Sequence, residues 1–168
     1  NQPYTQEDDE KRQFMFDSLQ QTESLQEHLL NQLHLSDLSD EDTRIGELIV
    51  GSIDDDGYIN AEAWELSSSA GVDEHRVEDI LHIVQGFDPT GVGARDLQEC
   101  LLIQLEHAGK LESLAARIVE KHLDKLGRRK LQDIAKALKA PLDDVRRAAE
   151  TIGRLDPKPG RAYSAADA

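Results

Sequence analysis

Residues 65–91 read ELSSSAGVDEHRVEDILHIVQGFDPTG, and residues 133–160 read DIAKALKAPLDDVRRAAETIGRLDPKPG. Both lay out a short helix, a tight turn, a longer helix, then Asp-Pro and a glycine. Leu66 aligns with Ile134, Val77 with Val145, Val84 with Ile152 and Phe87 with Leu155, and Asp88-Pro89 aligns with Asp156-Pro157. In the first longer helix Val77, Ile80, Leu81 and Val84 follow the i, i+3, i+4, i+7 spacing that turns one stripe of a helix toward a core. In the second, Val145, Ala148, Ala149 and Ile152 face Leu131, Ile134, Ala135 and Leu138 across a short turn. A similarity at a fixed offset marks a repeated structural unit, and two copies are too few for a solenoid. Two related helical subdomains are the expectation.

Working outward, residues 1–13 read as the end of an acidic linker too polar to bury anything. Phe14, Met15, Phe16 and Leu19 form a short apolar stretch able to dock as a helix. Ser24 with Glu27 is a capping box, followed by Leu25, Leu29 and Leu33 on one helical face. Ser39 with Asp42 opens a helix carrying Ile45, Leu48, Ile49 and Ile53, which stops at Asp54-Asp55-Asp56-Gly57. Tyr58-Ile59 is a brief extended piece, and Asn60 is placed to cap a helix over 61–69 that Gly71 ends. Asp73 caps a helix over 74–86. Residues 87–96 form a loop, because Pro89, Gly91 and Gly93 exclude regular structure. A helix over 95–108 is apolar nearly all round. A helix over 112–126 follows, with Leu114, Ala115, Ile118, Val119, His122, Leu123 and Leu126 as its inner face. The fold expected is all-α, about eight helices in two subdomains, each with a helix-turn-helix-like unit. The first spans 14–109, the second is a three-helix unit over 110–161, and 162–168 is a tail.

The 168 residues are 38% hydrophobic with only seven aromatics, so cores must come from Leu, Ile, Val and Ala. Cys100 is the only cysteine and allows no internal disulfide. No secretory signal is read, and no apolar run approaches the roughly 18–20 residues of a membrane span. A reducing, cytoplasmic setting is expected. A start at Asn1 without Met reads as a piece of a longer protein. Net charge is −15 but unevenly placed: from Arg117 to Arg161 there are 13 Lys/Arg against 7 Asp/Glu, whereas the remainder holds 6 against 27. An acidic half is repelled by phosphates and suits a basic protein surface; a basic half suits either.

Catalytic and metal motifs are missing from the sequence. Counted as a calcium loop from Ser52, the acidic turn puts Asp54 and Asp56 at positions three and five, but Ser52 and Ala63 stand where the strongest carboxylates belong. None of the six histidines sits in a zinc motif, and no glycine-rich phosphate cradle exists, so no cofactor, metal or small-molecule substrate is expected. Cys100 reads as a small core residue. The second helix-turn-helix is studded outside with Arg128, Arg129, Lys130, Lys136, Lys139, Arg146 and Arg147. A major-groove reader needs polar side chains at the start of its second helix, and here that start is Pro141-Leu142-Asp143-Asp144, whose aspartates face phosphates badly. The unit of a DNA reader therefore carries a surface suited to protein docking.

Three motifs in order, Ile49-Val50-Gly51-Ser52-Ile53-Asp54-Asp55-Asp56-Gly57-Tyr58-Ile59, then Phe87-Asp88-Pro89-Thr90-Gly91-Val92-Gly93-Ala94-Arg95-Asp96-Leu97-Gln98-Glu99-Cys100-Leu101, then Leu155-Asp156-Pro157-Lys158-Pro159-Gly160-Arg161, closely resemble the core-binding domain of the sigma-54 (nitrogen-type) family of bacterial transcription initiation factors. The likeness runs from about residue 14 to 163. It implies a two-subdomain module that holds such a factor on core RNA polymerase. It further implies that the whole factor directs promoter binding and waits for an ATP-driven activator. ATP hydrolysis then belongs to the activator and RNA synthesis to the polymerase, so this chain is not expected to be an enzyme. The family's glutamine-rich activator-responsive segment, its promoter-reading helix-turn-helix and its terminal signature box are not seen in these 168 residues. The motif residues Asp88, Pro89, Gly91, Gly93, Arg95, Asp156, Pro157 and Gly160 read as structural. From charge, the candidate polymerase contacts are Arg128, Arg129, Lys130, Lys136, Arg146 and Arg147 on the second subdomain, and Asp54, Asp55, Asp56, Glu74 and Glu78 on the first. The competing reading is a free-standing helix-turn-helix DNA-binding regulator.

Overall fold

The structure is a computed structural model that describes residues 7, 9–12 and 23–164. The apolar stretch Phe14, Met15, Phe16 and Leu19 lies outside the described residues. From Leu25 onward the described chain forms α1 (Leu25–Leu35), α2 (Asp40–Gly51), α3 (Ala63–Ala70), α4 (Glu74–Val84), α5 (Leu97–His107), α6 (Leu114–Lys121), α7 (Leu123–Gly127), α8 (Leu131–Leu138), α9 (Leu142–Gly153) and α10 (Arg161–Ser164). The fold is all-α, and eight of these helices have eight or more residues. No described helix is long and apolar enough to cross a membrane.

Side-chain caps set five of the ten helix starts from Leu25 onward. Ser24 Oγ accepts from the Glu27 amide at 3.1 Å, Ser39 Oγ from Asp42 at 3.1 Å, and Asp73 Oδ1 from Arg76 at 3.0 Å. Asp96 Oδ1 accepts from Glu99 at 2.8 Å, and Ser113 Oγ from Ala116 at 3.3 Å. Each satisfies one of the amides that a first helical turn leaves unpaired. Two expectations change. Asn60 does not cap α3, whose N-cap is Glu62 without a side-chain bond; Asn60 Nδ2 instead donates to Asp54 Oδ2 at 3.0 Å. The helix expected over 112–126 breaks at His122, whose φ of −135° is outside the helical range, and its second half becomes the short α7.

Two apolar cores form. The first gathers Leu25 and Leu29 of α1, Ile45, Ile49 and Val50 of α2, Leu66 of α3, Val77, Ile80, Leu81 and Val84 of α4, and Ile53, Ile59 and Val92 from the loops. The second gathers Leu101 and Leu105 of α5, Ala115, Ala116, Ile118 and Val119 of α6, Ile134 of α8, and Val145, Ala148 and Ile152 of α9. Leu101 and Leu105, which precede Gly109, thus pack in the second core. α5 is also less central than its composition suggests: Cys100, Leu101 and Leu105 are buried, while Leu97 is exposed.

The duplication begins one helix earlier than the sequence comparison implies. α1 opens the first unit as α5 opens the second: N-caps Ser24 and Asp96, buried Leu29 and Leu101, and buried Leu33 and Leu105 occupy matching places. The units are joined through the 52–60 loop. Ile53 and Ile59 pair antiparallel, and Tyr58 pairs parallel with Ala94. The Gly93 amide donates to the Gly57 carbonyl at 2.8 Å, and the Gly160 amide to the Asp56 carbonyl at 2.9 Å. Residues 156–163, which follow the second core, thereby run as a strap back onto the first.

Candidate docking surfaces and the motifs that frame them

The motif residues are spent inside the molecule. Gln32 of α1 holds the backbone of Asp88 from both sides, its Nε2 donating to the carbonyl at 2.6 Å and its Oε1 accepting from the amide at 2.8 Å. Asp88 Oδ2 then accepts from Tyr163 Oη at 3.0 Å and lies 2.9 Å from His28 Nε2, and His28 stacks on Tyr163 at a centroid distance of 4.9 Å. Burial and the bond to Asp88 push the Tyr163 phenol up to about 12. Gly91, at φ +100°, lies so close to α5 that a Cβ would come within 2.9 Å of Gln104 Nε2 and 3.0 Å of Cys100 Sγ. Cys100 is buried, and that burial raises its thiol pKa.

Arg95 and Glu99 anchor the end of the loop. The Glu99 carboxylate accepts from the Arg95 amide at 2.8 Å, from Arg95 Nη2 at 2.8 Å and from Gln85 Nε2 at 3.1 Å. Burial alone would raise its pKa, but the Arg95 guanidinium and amide and Gln85 together hold it below the ordinary value. Arg95 reaches Glu78 at 3.1 Å as well, and Gln85 Nε2 donates to the Gly93 carbonyl at 3.0 Å. α4, the glycine loop and the first turn of α5 are thus one hydrogen-bonded block.

The acidic candidates separate by environment. Asp54 Oδ1 accepts from the amides of Asp56 at 2.9 Å and Tyr58 at 3.0 Å, so with Asn60 its carboxylate is used by the turn itself. Asp56 pairs with Arg161 at 3.0 Å, and Glu78 with Arg95. Tyr58 Oη donates to the Pro157 carbonyl beside them, and burial raises the Tyr58 pKa. Asp55 and Glu74 point to solvent. On the same half, Asp42 takes a 2.8 Å ion pair from Arg76, fixing α2 to α4.

The basic candidates Arg128, Arg129, Lys130 and Lys136 are all exposed around α7 and α8. Arg128 Nε is 3.6 Å from Asp124, a loose contact of a kind worth little on a surface. Arg146 and Arg147 lie on α9 and pair one turn back with Asp143 and Asp144 at 3.3 and 2.5 Å. The structure also brings Lys110 and Arg117 beside two cations of the second helix-turn-helix, Lys139 and Arg147. A groove of about 630 Å³ runs between the start of α6 and the α8–α9 turn, with Leu114, Leu138 and Ala148 in its lining and Lys110, Arg117, Lys139 and Arg147 around it. Its cations come from three separate segments of the chain, so no run of charge announces them.

The family description "Sigma-54 factor, core binding domain" matches residues 15–168. The chain is similar to the RNA polymerase sigma-54 factor of Xanthomonas euvesicatoria, 40% identical over 164 residues that cover 92% of this chain and 34% of that protein. It is 39% identical to the RNA polymerase sigma-54 factor of Azotobacter vinelandii over 82% of this chain and 29% of that protein. To the RNA polymerase sigma-54 factor of Escherichia coli K12 it is 36% identical, over 83% of this chain and 31% of that protein. The chain spans about a third of the length of these curated relatives.

Proposed function

The chain belongs to the sigma-54 factor core-binding-domain family, and from that premise we propose that it is the part of a sigma-54-type initiation factor that docks on core RNA polymerase in the cytoplasm. The observation that carries this reading is the family match from residue 15 to the end of the chain, across both helical units and all three motifs. It is a binding module and not an enzyme. Promoter DNA is its partner only through other parts of such a factor, and an ATP-dependent activator acts on it indirectly.

Charge supplies the contacts. The motif residues are engaged within the fold, which leaves surface side chains to meet the polymerase. Arg128, Arg129, Lys130 and Lys136 offer one docking face, and Asp55 and Glu74 another. Asp54, Asp56 and Glu78 hold the framework beside the second face. Two faces on one chain gain avidity against a large partner carrying both charges. Against DNA reading, the exposed Asp143 and the neighbouring Asp144 stand at the start of α9, where a recognition helix meets phosphates.

The test is a titration of labelled chain with purified core RNA polymerase at two salt concentrations, beside a random DNA duplex. Submicromolar binding to polymerase with negligible duplex binding supports the reading. Tight duplex binding without polymerase binding replaces it with a DNA-binding regulator.

A further inference from the structure

We propose that the groove between α6 and the α8–α9 turn is a docking site for an acidic amphipathic helix of a protein partner, which, resting on the reading above, is a segment of core RNA polymerase. The inference combines shape and charge. The apolar side of the groove, Leu114, Leu138 and Ala148, accepts the apolar stripe of a helix. Around it stand four cations, Lys110, Arg117, Lys139 and Arg147, against the single carboxylate of Asp144.

Arg147 is already matched by Asp144. Lys110, Arg117 and Lys139 are exposed, and none of them has an ion-pair partner among the described residues. Three uncompensated cations around an apolar floor, on a chain of net charge −15, form a local exception to the charge of the whole. Carboxylates flanking an apolar stripe complement that pattern; such complementarity sets orientation and association rate as well as affinity. A DNA backbone fits less well, because it would bring phosphates to Asp144 and leave the apolar floor unfilled.

The experiment is made on the full chain with purified core RNA polymerase. The triple reversal Lys110→Glu/Arg117→Glu/Lys139→Glu changes only exposed side chains and is checked by thermal unfolding. It is expected to weaken polymerase binding by about tenfold or more, chiefly through the steered association rate at low salt. In parallel, a benzophenone amino acid at Arg117 is irradiated in the complex; the cross-linked polymerase peptide is expected to carry Asp or Glu flanking apolar residues at helical spacing. This second readout decides the matter if the triple variant unfolds. Unchanged affinity of a folded triple variant while wild type binds overturns the groove and leaves the docking function standing. No polymerase binding by wild type overturns both. A cross-link to a peptide without acidic residues, or duplex DNA binding abolished by the same reversal, also overturns the groove as an acidic-helix site.

Discussion

Gln104 grips Asp156 by its main chain: Nε2 donates to the Asp156 carbonyl at 2.7 Å, and Oε1 accepts from the Asp156 amide at 2.8 Å. Gln32 does the same to Asp88 in the first unit, at 2.6 and 2.8 Å. Each glutamine lies on the first helix of its unit and closes that unit by holding the Asp-Pro turn that follows the last. Gln32→Ala and Gln104→Ala each remove both hydrogen bonds to the backbone of the Asp-Pro turn, at partly wetted groups, and each is expected to cost about 1 kcal/mol. The sites lie in separate units, so the double variant should be nearly additive. Chemical denaturation of the three variants checks this; a silent Gln104→Ala would contradict the closing role.

Gly160 makes the strap possible. A Cβ there would strike the Asp55 carbonyl oxygen and sit 2.7 Å from the Gly57 amide nitrogen, both rigid backbone atoms. Gly160→Ala should destabilise by about 1–3 kcal/mol, as overpacking does, and should raise amide exchange at Gly160 and Tyr58. Gly153→Ala is the control. A Cβ there meets nothing within 4 Å, so this change should be neutral or add about 0.4–1 kcal/mol through the unfolded chain.

Acid should loosen the block around Glu99. Its folded pKa lies below the ordinary glutamate value of 4.5, so the native state favours the ionised form. The resulting stability is fully present above pH 4.5 and is lost as pH falls from there through the lower folded value. The stability gap between wild type and Glu99→Gln should therefore be widest above pH 4.5 and narrow below it. Unfolding midpoints across pH 2–7 measure that gap; one that widened in acid would contradict the Arg95–Glu99 assignment.

Asp54 and the basic cluster should respond in opposite ways. Asp54→Ala leaves the amides of Asp56 and Tyr58 without their acceptor and should cost about 1–3 kcal/mol of stability, with little change in the salt dependence of polymerase binding. Charge reversal at Arg128, Arg129 and Lys130 should leave stability within about 0.5 kcal/mol while weakening polymerase binding and flattening its salt dependence. Paired unfolding and binding measurements on the two variants separate scaffold from surface.

Periodicity carried most of the fold. Val77, Ile80, Leu81 and Val84 are buried as their spacing requires, and Ser24, Ser39 and Asp73 cap the helices they precede. Features set by distant partners were not legible. His122 breaks a helix whose apolar pattern runs on without interruption. Asn60 turns back to Asp54, while α3 starts at Ala63 with Glu62 in the N-cap place. Gln32 and Gln104 are ordinary helix residues until the turns they hold, more than fifty positions away, are seen beside them. The duplication was legible at the helix-turn-helix, where apolar spacing repeats, and hidden at α1 and α5, where His28 and Cys100 fill equivalent places with different chemistry. For the docking surfaces, the charge run at 128–130 was visible, whereas Lys110, Arg117 and Lys139 meet only through the folding of α6 against the α8–α9 turn.

The most direct test of the central claim is competition: this chain, unlabelled, against a labelled full-length sigma-54-type factor for purified core RNA polymerase. The account predicts that the chain alone displaces the factor in a saturable way, and that the Lys110→Glu/Arg117→Glu/Lys139→Glu variant needs a higher concentration to do so. Failure of the folded wild-type chain to displace any factor at saturating concentration would contradict it.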